Sequence, residues 1–243
     1  NARYKGDNLV LAAAGNLKHE EFVDLVNQSF GTLSGKTLKS PLSMPVISSK
    51  VAVLEKDLEQ VHMIIGTLAP SSTSSQRYFS FLLNAILGGS MSSRLFQEIR
   101  EKRGLAYAIH SYLNPYHDTG FLGIYAGTNE DSTQVVISLI LEELKRLRIE
   151  LLTEKEIAQA KELIKGNFLL SMESTDNRMI KLAKNEIIFG RFIAPEDVIA
   201  SIEAVTAEDV RSLACEIFNP DSIALVAMGR ISEKDLTLDL FEK

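Results

Sequence analysis

Cysteine is almost absent from the sequence: Cys215 is the only one, which excludes an intrachain disulfide and leaves the redox compartment open. Cys215 lies between Leu213 and Ile217 in a helical pattern, so we expect it to be a small, buried, apolar residue. No apolar run approaches the roughly 20 residues that span a bilayer, so no membrane span is predicted. The net charge is −6 and no basic cluster is present, which argues against a nucleic-acid partner.

Motifs of several enzyme classes are missing as well. The sequence contains no His-x-x-Glu-His string or its inverted form, and no two histidines have the i, i+4 spacing that places two zinc ligands on one helix face. We expect a surface or loop position for each of the four histidines, His19, His62, His110 and His117. P-loop, dinucleotide-turn and Gly-x-Ser-x-Gly strings are also absent. These absences argue against a zinc site, a phosphate-binding loop or a serine nucleophile within the chain.

The first residues, Asn1-Ala2-Arg3-Tyr4, include neither an initiator methionine nor a signal-peptide pattern. We therefore interpret the chain as a processed or truncated product. Its 243 residues suffice for one large domain or two smaller ones, each with a substantial core. We expect a soluble protein, whose compartment stays open between the bacterial cytoplasm, the periplasm and a mitochondrial matrix-like compartment.

One segment of the sequence occurs twice. Asp7–Gly15 reads DNLVLAAAG and Asp221–Gly229 reads DSIALVAMG, with the two copies 214 residues apart. Each copy predicts a short buried strand that ends at a glycine. A repeat of this length indicates a duplicated domain and not a solenoid unit. We therefore predict the tail of one repeat at residues 1–32, a linker at 33–49 and a second, nearly complete repeat at 50–243.

The second repeat alternates between blocks of strands and blocks of helices. Strands are predicted at Val51–Leu54, Val61–Leu68, Leu105–Leu113 and Gly120–Ala126. Helices are predicted at 75–87, 92–102 and 132–147, and further helices begin at Thr153, Pro195 and Thr206; a helix at 17–30 is predicted in the first repeat. Separated blocks of this kind indicate an α+β fold, in which a mixed or antiparallel sheet is covered by helices.

Residues 88–107 carry the densest pattern in the chain. The glycines at its start free the backbone, and a helix follows in which Glu98 has i, i+4 partners in Arg94 and Lys102. Gly104 is placed to end this helix at the C′ position and to turn the chain into a strand. Taken by themselves, these features are those of an ordinary helix–turn–strand unit.

The same residues also carry a resemblance. The string GGSMSSRLFQEIREKRGLAY at 88–107 resembles the signature of the second domain in the pitrilysin/insulinase family of zinc metallopeptidases, which includes mitochondrial processing peptidase. The strings YHDTG at 116–120, YAGT at 125–128 and QVH at 60–62 resemble the same family. The similarity covers essentially the whole chain.

The resemblance implies a duplicated-domain peptidase whose two homologous halves close over an extended peptide. It implies that zinc is bound in the first half, that this chain binds none, and that this half holds the substrate without catalysing metal chemistry. The residues it assigns to the scissile peptide are Arg100 and Tyr107, with Arg103 as a substitute for the arginine. The implied partners are a peptide substrate and a catalytic N-terminal domain or partner subunit. A dimer stays open.

Other interpretations stay open at this point. The chain is alternatively an inactive subunit that lends Arg100 and Tyr107 to an active partner in a heterodimeric peptidase. It is alternatively a purely structural relative, like the peptidase-derived core proteins of a respiratory complex, although such proteins tend to lose the Arg/Tyr pair. Without the resemblance, Arg100 is an ordinary solvated helix residue and Tyr107 an ordinary strand residue that fills a core.

Overall fold

The computed structural model describes residues 4–37, 43 and 45–236. The chain divides into two compact units. One comprises the described part of 1–44 together with 166–195, and the other comprises 45–165 with the described part of 196–243. Residues 38–42 and 44 of the predicted linker lie outside the described residues. The predicted boundaries at 32/33 and 49/50 stay predictions.

The larger unit contains a mixed sheet of five strands within the described ranges, in the order β1-β5-β2-β4-β3. The strands are β1 (Lys50–Glu55), β2 (Val61–Ala69), β3 (Ala106–Pro115), β4 (Gly120–Thr128) and β5 (Ala224–Gly229). The pairs β2–β4, β3–β4 and β2–β5 are antiparallel, and β1 runs parallel to β5. The strand positions predicted for the second repeat and the α+β class are confirmed.

The helices of the described chain are α1 (His19–Phe30), α2 (Arg77–Leu87), α3 (Thr133–Ile149), α4 (Glu154–Ser171), α5 (Thr175–Phe189), α6 (Pro195–Ala204) and α7 (Ala207–Ile217). Two of them begin at capping boxes, at the helix starts that the sequence predicts at Thr153 and Thr206. Thr153 and Glu156 exchange hydrogen bonds of 3.0 and 3.2 Å between side chains and backbone N–H groups. Thr206 and Asp209 do the same at 2.8 and 3.1 Å. Each box satisfies N–H groups that a helix start leaves without partners.

The core of the larger unit lies on one face of the sheet. Alternate residues of β2, such as Val61, Met63 and Ile65, are almost completely buried, and α2, α3 and α7 contact the sheet. The residues between them, His62 and Ile64, face the other way, where His62 is half-buried and Ile64 is exposed. Among the described residues of the larger unit, helices therefore cover one face of the sheet and leave the second face open.

The first copy of the repeated segment does not form the predicted strand. Residues 9–14 have no strand partner among the described residues, and Leu9, Val10 and Leu11 are all classed as exposed. The second copy forms β5 because β1 and β2 supply hydrogen-bonding neighbours on both sides of it. An apolar run predicts the capacity for a strand, whereas the strand itself requires a partner.

The prediction for Cys215 is wrong. Its side chain is exposed, and its thiol lies 3.2 Å from the carbonyl oxygen of Arg148. The buried positions of α7 are Val210, Leu213, Ala214 and Ile217, which follow the helical spacing of the core-facing stripe. Cys215 falls outside that stripe.

Alanine substitutions at two glycines, Gly104 and Gly166, test how backbone conformation affects stability. Gly104 has a φ of 63°, and an added Cβ would meet no atom within 4 Å, so conformation alone opposes a side chain there. Gly166, inside α4, also has open space around an added Cβ, and its φ lies outside the left-handed region. We expect Gly104→Ala to lower the free energy of unfolding by about 1–2 kcal/mol and Gly166→Ala to raise it by about 0.5–1 kcal/mol. Urea unfolding of both variants measures this, and shifts of the same sign would contradict it.

Candidate functional site

The candidate site is built on a helical turn, a glycine and a strand. Phe96–Glu101 forms a π-helical turn, and the N–H of Gly104 then donates to the carbonyl oxygen of Arg100 at 3.1 Å. The positive φ of Gly104 confirms its predicted role as the residue that ends the helix. The chain enters β3, and its register against β4 shifts between Ala106 and Ala108. Wide helical turns and strand irregularities of this kind are frequent where a side chain is aimed at a ligand.

The structure places Arg100 and Tyr107 on either side of this glycine turn. Tyr107 stands at the register shift and is 62% exposed, so it does not fill a core. Arg100 is exposed in the last turn before Gly104, with its guanidinium carbon 4.9 Å from the ring centre of Phe96. The contact stacks a cation on an aromatic face. Both predicted side chains are therefore accessible to a ligand.

Arg103, the predicted substitute for Arg100, is held by Glu98. Its Nε and a terminal nitrogen donate to Oε1 of Glu98 at 3.0 and 2.7 Å. Lys102 donates to the other carboxylate oxygen at 2.9 Å, as the i, i+4 spacing predicts. Hydrogen bonds from Lys102 and Arg103 hold the pKa of the Glu98 carboxyl below its ordinary value. The carboxylate thus engages both cations that neighbour Arg100 along the chain.

The predicted ion pair between Arg94 and Glu98 is replaced by longer-range contacts. Nε of Arg94 donates to Glu156 of α4 at 2.8 Å, and a terminal nitrogen lies 3.6 Å from Glu143 of α3. The Arg94 side chain is only 15% exposed, so it points inward and not along the solvent face of its own helix. Arg94 connects the start of the candidate-site helix to two helices of the core.

These contacts change the pKa of the Glu156 carboxyl group. Burial raises its pKa, but the hydrogen bonds from Arg94 and Thr153 together outweigh burial and hold the pKa below its ordinary value. Glu156 therefore stays charged beside the guanidinium and also caps α4.

A second group of polar side chains lies on the open face of the sheet. Nδ1 of His62 and the hydroxyl of Tyr125 are 2.7 Å apart, and the rings of Tyr125 and His110 have centres 5.1 Å apart. The expectation of a surface or loop position holds for His110 as an exposed strand residue, whereas His62 is half-buried in β2. The period-2 pattern of His110 and Tyr112 in β3 signals a shared face, but their neighbours depend on strand register.

The described residues do not fit a zinc site. No group of three or more His, Cys, Asp or Glu side chains within them is placed to hold a metal ion. His62 and His110 are separated by the ring of Tyr125. Within the same ranges, no helix combines the length and apolarity that a bilayer crossing requires.

Comparison with known proteins identifies the family of this chain. Residues 1–164, more than half of the chain, match the model of the peptidase M16 inactive domain. The chain is 36% identical over 225 residues to "Uncharacterized zinc protease YmxG" of Bacillus subtilis, with 92% of this chain and 55% of that protein covered. It is 36% identical over 241 residues to "Uncharacterized zinc protease SCO5738" of Streptomyces coelicolor, with 95% and 52% covered. The chain thus spans about half the length of these relatives.

Solved structures share the fold at lower identity. The peptidase M16 inactive domain from Pseudomonas fluorescens superimposes with a TM-score of 0.81 at 22% identity, over 90% of this chain and 53% of that chain. A chain of complex III2 from Candida albicans superimposes with a TM-score of 0.79 at 20% identity, over 93% and 55%. On the extent of the family match and the identity to the bacterial relatives, the chain belongs to the peptidase M16 family, where it corresponds to the inactive domain.

Proposed function

We propose that this chain is the substrate-binding half of a zinc-dependent endopeptidase that cleaves peptides or unfolded segments in a closed chamber. The observation that carries the proposal is the exposed pair of Arg100 and Tyr107, held on either side of the Gly104 turn. The names of the bacterial relatives and the match to an inactive domain support the same assignment. The metal chemistry is assigned to the other half of the full-length protein.

The side chains of Arg100 and Tyr107 are of a kind that stabilises an oxyanion. Hydrolysis of a peptide places negative charge on the carbonyl oxygen, and donors fixed in advance around that position stabilise it. A guanidinium and a phenol are both donors, and the capped helix end and the β3–β4 pairing restrict the backbone that carries them. Arg100 and Tyr107 are therefore proposed to contact the scissile peptide bond or its neighbouring carbonyl groups.

Of the two candidate arginines, Arg100 is the better donor to substrate. The guanidinium of Arg103 makes two hydrogen bonds to Glu98, which a substrate would have to replace. Arg100 has the face of Phe96 beside it, and a stacked guanidinium keeps its N–H groups directed outward in its own plane. Arg103 is proposed to support the turn and not to bind substrate.

The smaller unit supports the existence of a second half. A groove of about 490 Å³ in this unit has mainly apolar walls. Its lining includes Val10, Leu11, Phe22, Val26, Leu182 and Phe192. Proteins rarely leave a contiguous apolar surface of this kind in water. We propose that residues 1–32 belong to the fold of that half, because residues 9–14 have no strand partner among the described residues.

The partner-subunit alternative uses the same two residues. If the full-length protein lacks metal ligands, this chain would lend Arg100 and Tyr107 to a separate active subunit. The fold shared with complex III2 is compatible with a structural relative, but that likeness at 20% identity concerns the fold alone.

The proposal is tested on the full-length protein with an internally quenched, unstructured peptide. We expect cleavage that stops on addition of a chelator and returns with zinc, and no cleavage by the 243-residue chain alone. Activity that appears only when a zinc-bearing partner is added would select the heterodimer. No cleavage in either case would contradict the proposal.

A further inference from the structure

Tyr107 occupies a bulge in β3. Ala106 is paired with Thr128 of β4, and Ala108 is paired with Gly127, so two steps along β3 match one step along β4. Tyr107 is the extra residue between the two pairs. An extra residue in one strand reverses the alternation of inward and outward side chains at that point.

The burial of β3 follows this reversal. Ile109 and Ser111 are buried, and the hydroxyl of Ser111 bonds to Asn84 of α2. An unbroken alternation of two would turn residue 107 toward the same side. Instead Ala106 is buried and Tyr107 is exposed. The bulge is therefore the reason that Tyr107 reaches solvent, and whatever holds the bulge also fixes the direction of this side chain.

Thr128 lies opposite the bulge and is completely buried. Its hydroxyl donates to the carbonyl oxygen of Leu105 at 2.5 Å. Leu105 is the residue directly before Ala106, so the bond joins β4 to the main chain at the point where the bulge begins. A buried hydroxyl is costly without a partner, and this carbonyl group supplies one. Thr128 therefore fixes the main chain at the entry to the bulge.

The main chain of Leu105 is also held from the side of the helical turn. Its N–H donates to the carbonyl oxygen of Ile99 at 3.0 Å, and Ile99 is completely buried in the core. Leu105 is thus bonded on one side to the turn that carries Arg100 and on the other side to Thr128. This single residue connects the backbone positions of Arg100 and Tyr107.

We infer that Thr128 is a positioning residue of the proposed substrate site, which holds Tyr107 and Arg100 in the arrangement that contacts the scissile peptide. The inference rests on the proposed function and adds to it a residue that does not touch substrate. Thr128 acts through the carbonyl group of Leu105 and through the bulge. A shift of about 1 Å at a group that contacts the reacting atoms costs a rate up to about 10²-fold, so this bond affects turnover.

Substitution separates the hydroxyl of Thr128 from its methyl group. Valine keeps the branched shape but lacks the donor, whereas serine keeps the donor and lacks the methyl group. Thr67 of β2 is the matched control, because it is also buried and its hydroxyl donates to the carbonyl oxygen of Ile217 at 2.8 Å. Thr67 is paired with Leu122, six residues from Thr128 along β4, which corresponds to about 20 Å.

The test compares variants of the full-length protein by steady-state kinetics with the quenched peptide and by amide hydrogen exchange. We expect Thr128→Val to lower kcat by about 10–100-fold with little change in KM, and to speed exchange at the amide of Leu105. Thr128→Ser should keep kcat and this exchange rate close to those of the wild type, because it keeps the donor. Thr67→Val should lower the melting temperature as Thr128→Val does, and leave kcat and the exchange of Leu105 unchanged.

An unchanged kcat in Thr128→Val, or an equal loss of kcat in Thr67→Val, would overturn the inference. A loss in Thr128→Ser as large as in Thr128→Val would also overturn it, since the hydroxyl would not be the group that matters. If Thr128→Val melts too early for the assay, Thr128→Ala removes the same hydroxyl and is compared with Thr128→Ser in its place. A wild-type protein that cleaves no peptide with zinc present would contradict the proposed function alone. Hydrogen exchange then decides the inference, and unchanged exchange at Leu105 in Thr128→Val overturns it.

Discussion

Replacing Tyr107 by phenylalanine is expected to lower kcat of the full-length protein by about 10²–10³-fold, because the proposed role of the Tyr107 hydroxyl is to donate to the oxyanion. KM should change little if the phenol acts mainly in the transition state. The side chain is 62% exposed, so its hydroxyl contributes little to folding and the melting temperature should stay close to that of the wild type. Steady-state kinetics with a quenched peptide, together with thermal melting, measure both quantities.

The chain offers matched controls for this experiment. Tyr116 is 59% exposed beyond the far end of β3, and Tyr116→Phe should leave kcat unchanged. Arg100→Met should lower kcat to an extent comparable with Tyr107→Phe, whereas Arg103→Met should not. An unchanged kcat in Tyr107→Phe, or a larger loss in Arg103→Met than in Arg100→Met, would contradict the assignment.

Arg94→Ala is expected to lower the free energy of unfolding by about 3–5 kcal/mol, because it removes one partner of a buried ionic cluster. The side chain of Glu143 is only 6% exposed, and Glu156 would lose its 2.8 Å hydrogen bond from Arg94. For a domain of this size, such a loss corresponds to a fall in melting temperature of about 10 °C. Denaturant unfolding and calorimetry measure it.

Arg103→Ala is the matched comparison, since it removes another arginine–glutamate pair. That pair is solvent-accessible, with the Arg103 side chain 48% exposed, so its loss should cost at most about 1 kcal/mol. Equal destabilisation by the two variants would show that burial does not decide the effect. The same comparison separates the anchoring of the helix by Arg94 from the surface contacts near Arg100.

Features governed by near neighbours in the sequence were predictable. The helix starts at Thr153 and Thr206 and the helix end at Gly104 all depend on residues within five positions of each other. Features that depend on distant partners were not. Arg94 was expected to pair four residues away and instead contacts Glu143 and Glu156, because tertiary packing brings α3 and α4 to it.

The same distinction between local and long-range contacts applies to the candidate site. The sequence places Arg100 and Tyr107 on either side of one glycine, so their common location follows from local structure, while their role in catalysis stays a prediction. The contacts among the rings of His62, Tyr125 and His110 escaped prediction because these residues come from three strands. Only the register that sets Ile64 against Tyr125 and Tyr125 against His110 brings the rings together. Periodicity assigns a residue to a face but does not name its cross-strand neighbours.

The position of β5 has a consequence for how the protein is made. Among the described strands, β1 pairs only with β5, although some 170 residues separate them along the chain. A ribosome therefore releases β2, β3 and β4, which can pair with one another, long before β1 has anything to bind. Until synthesis reaches residue 229, the nascent sheet keeps the edge of β2 unpaired, and this is the stage at which chaperones would be needed to prevent aggregation.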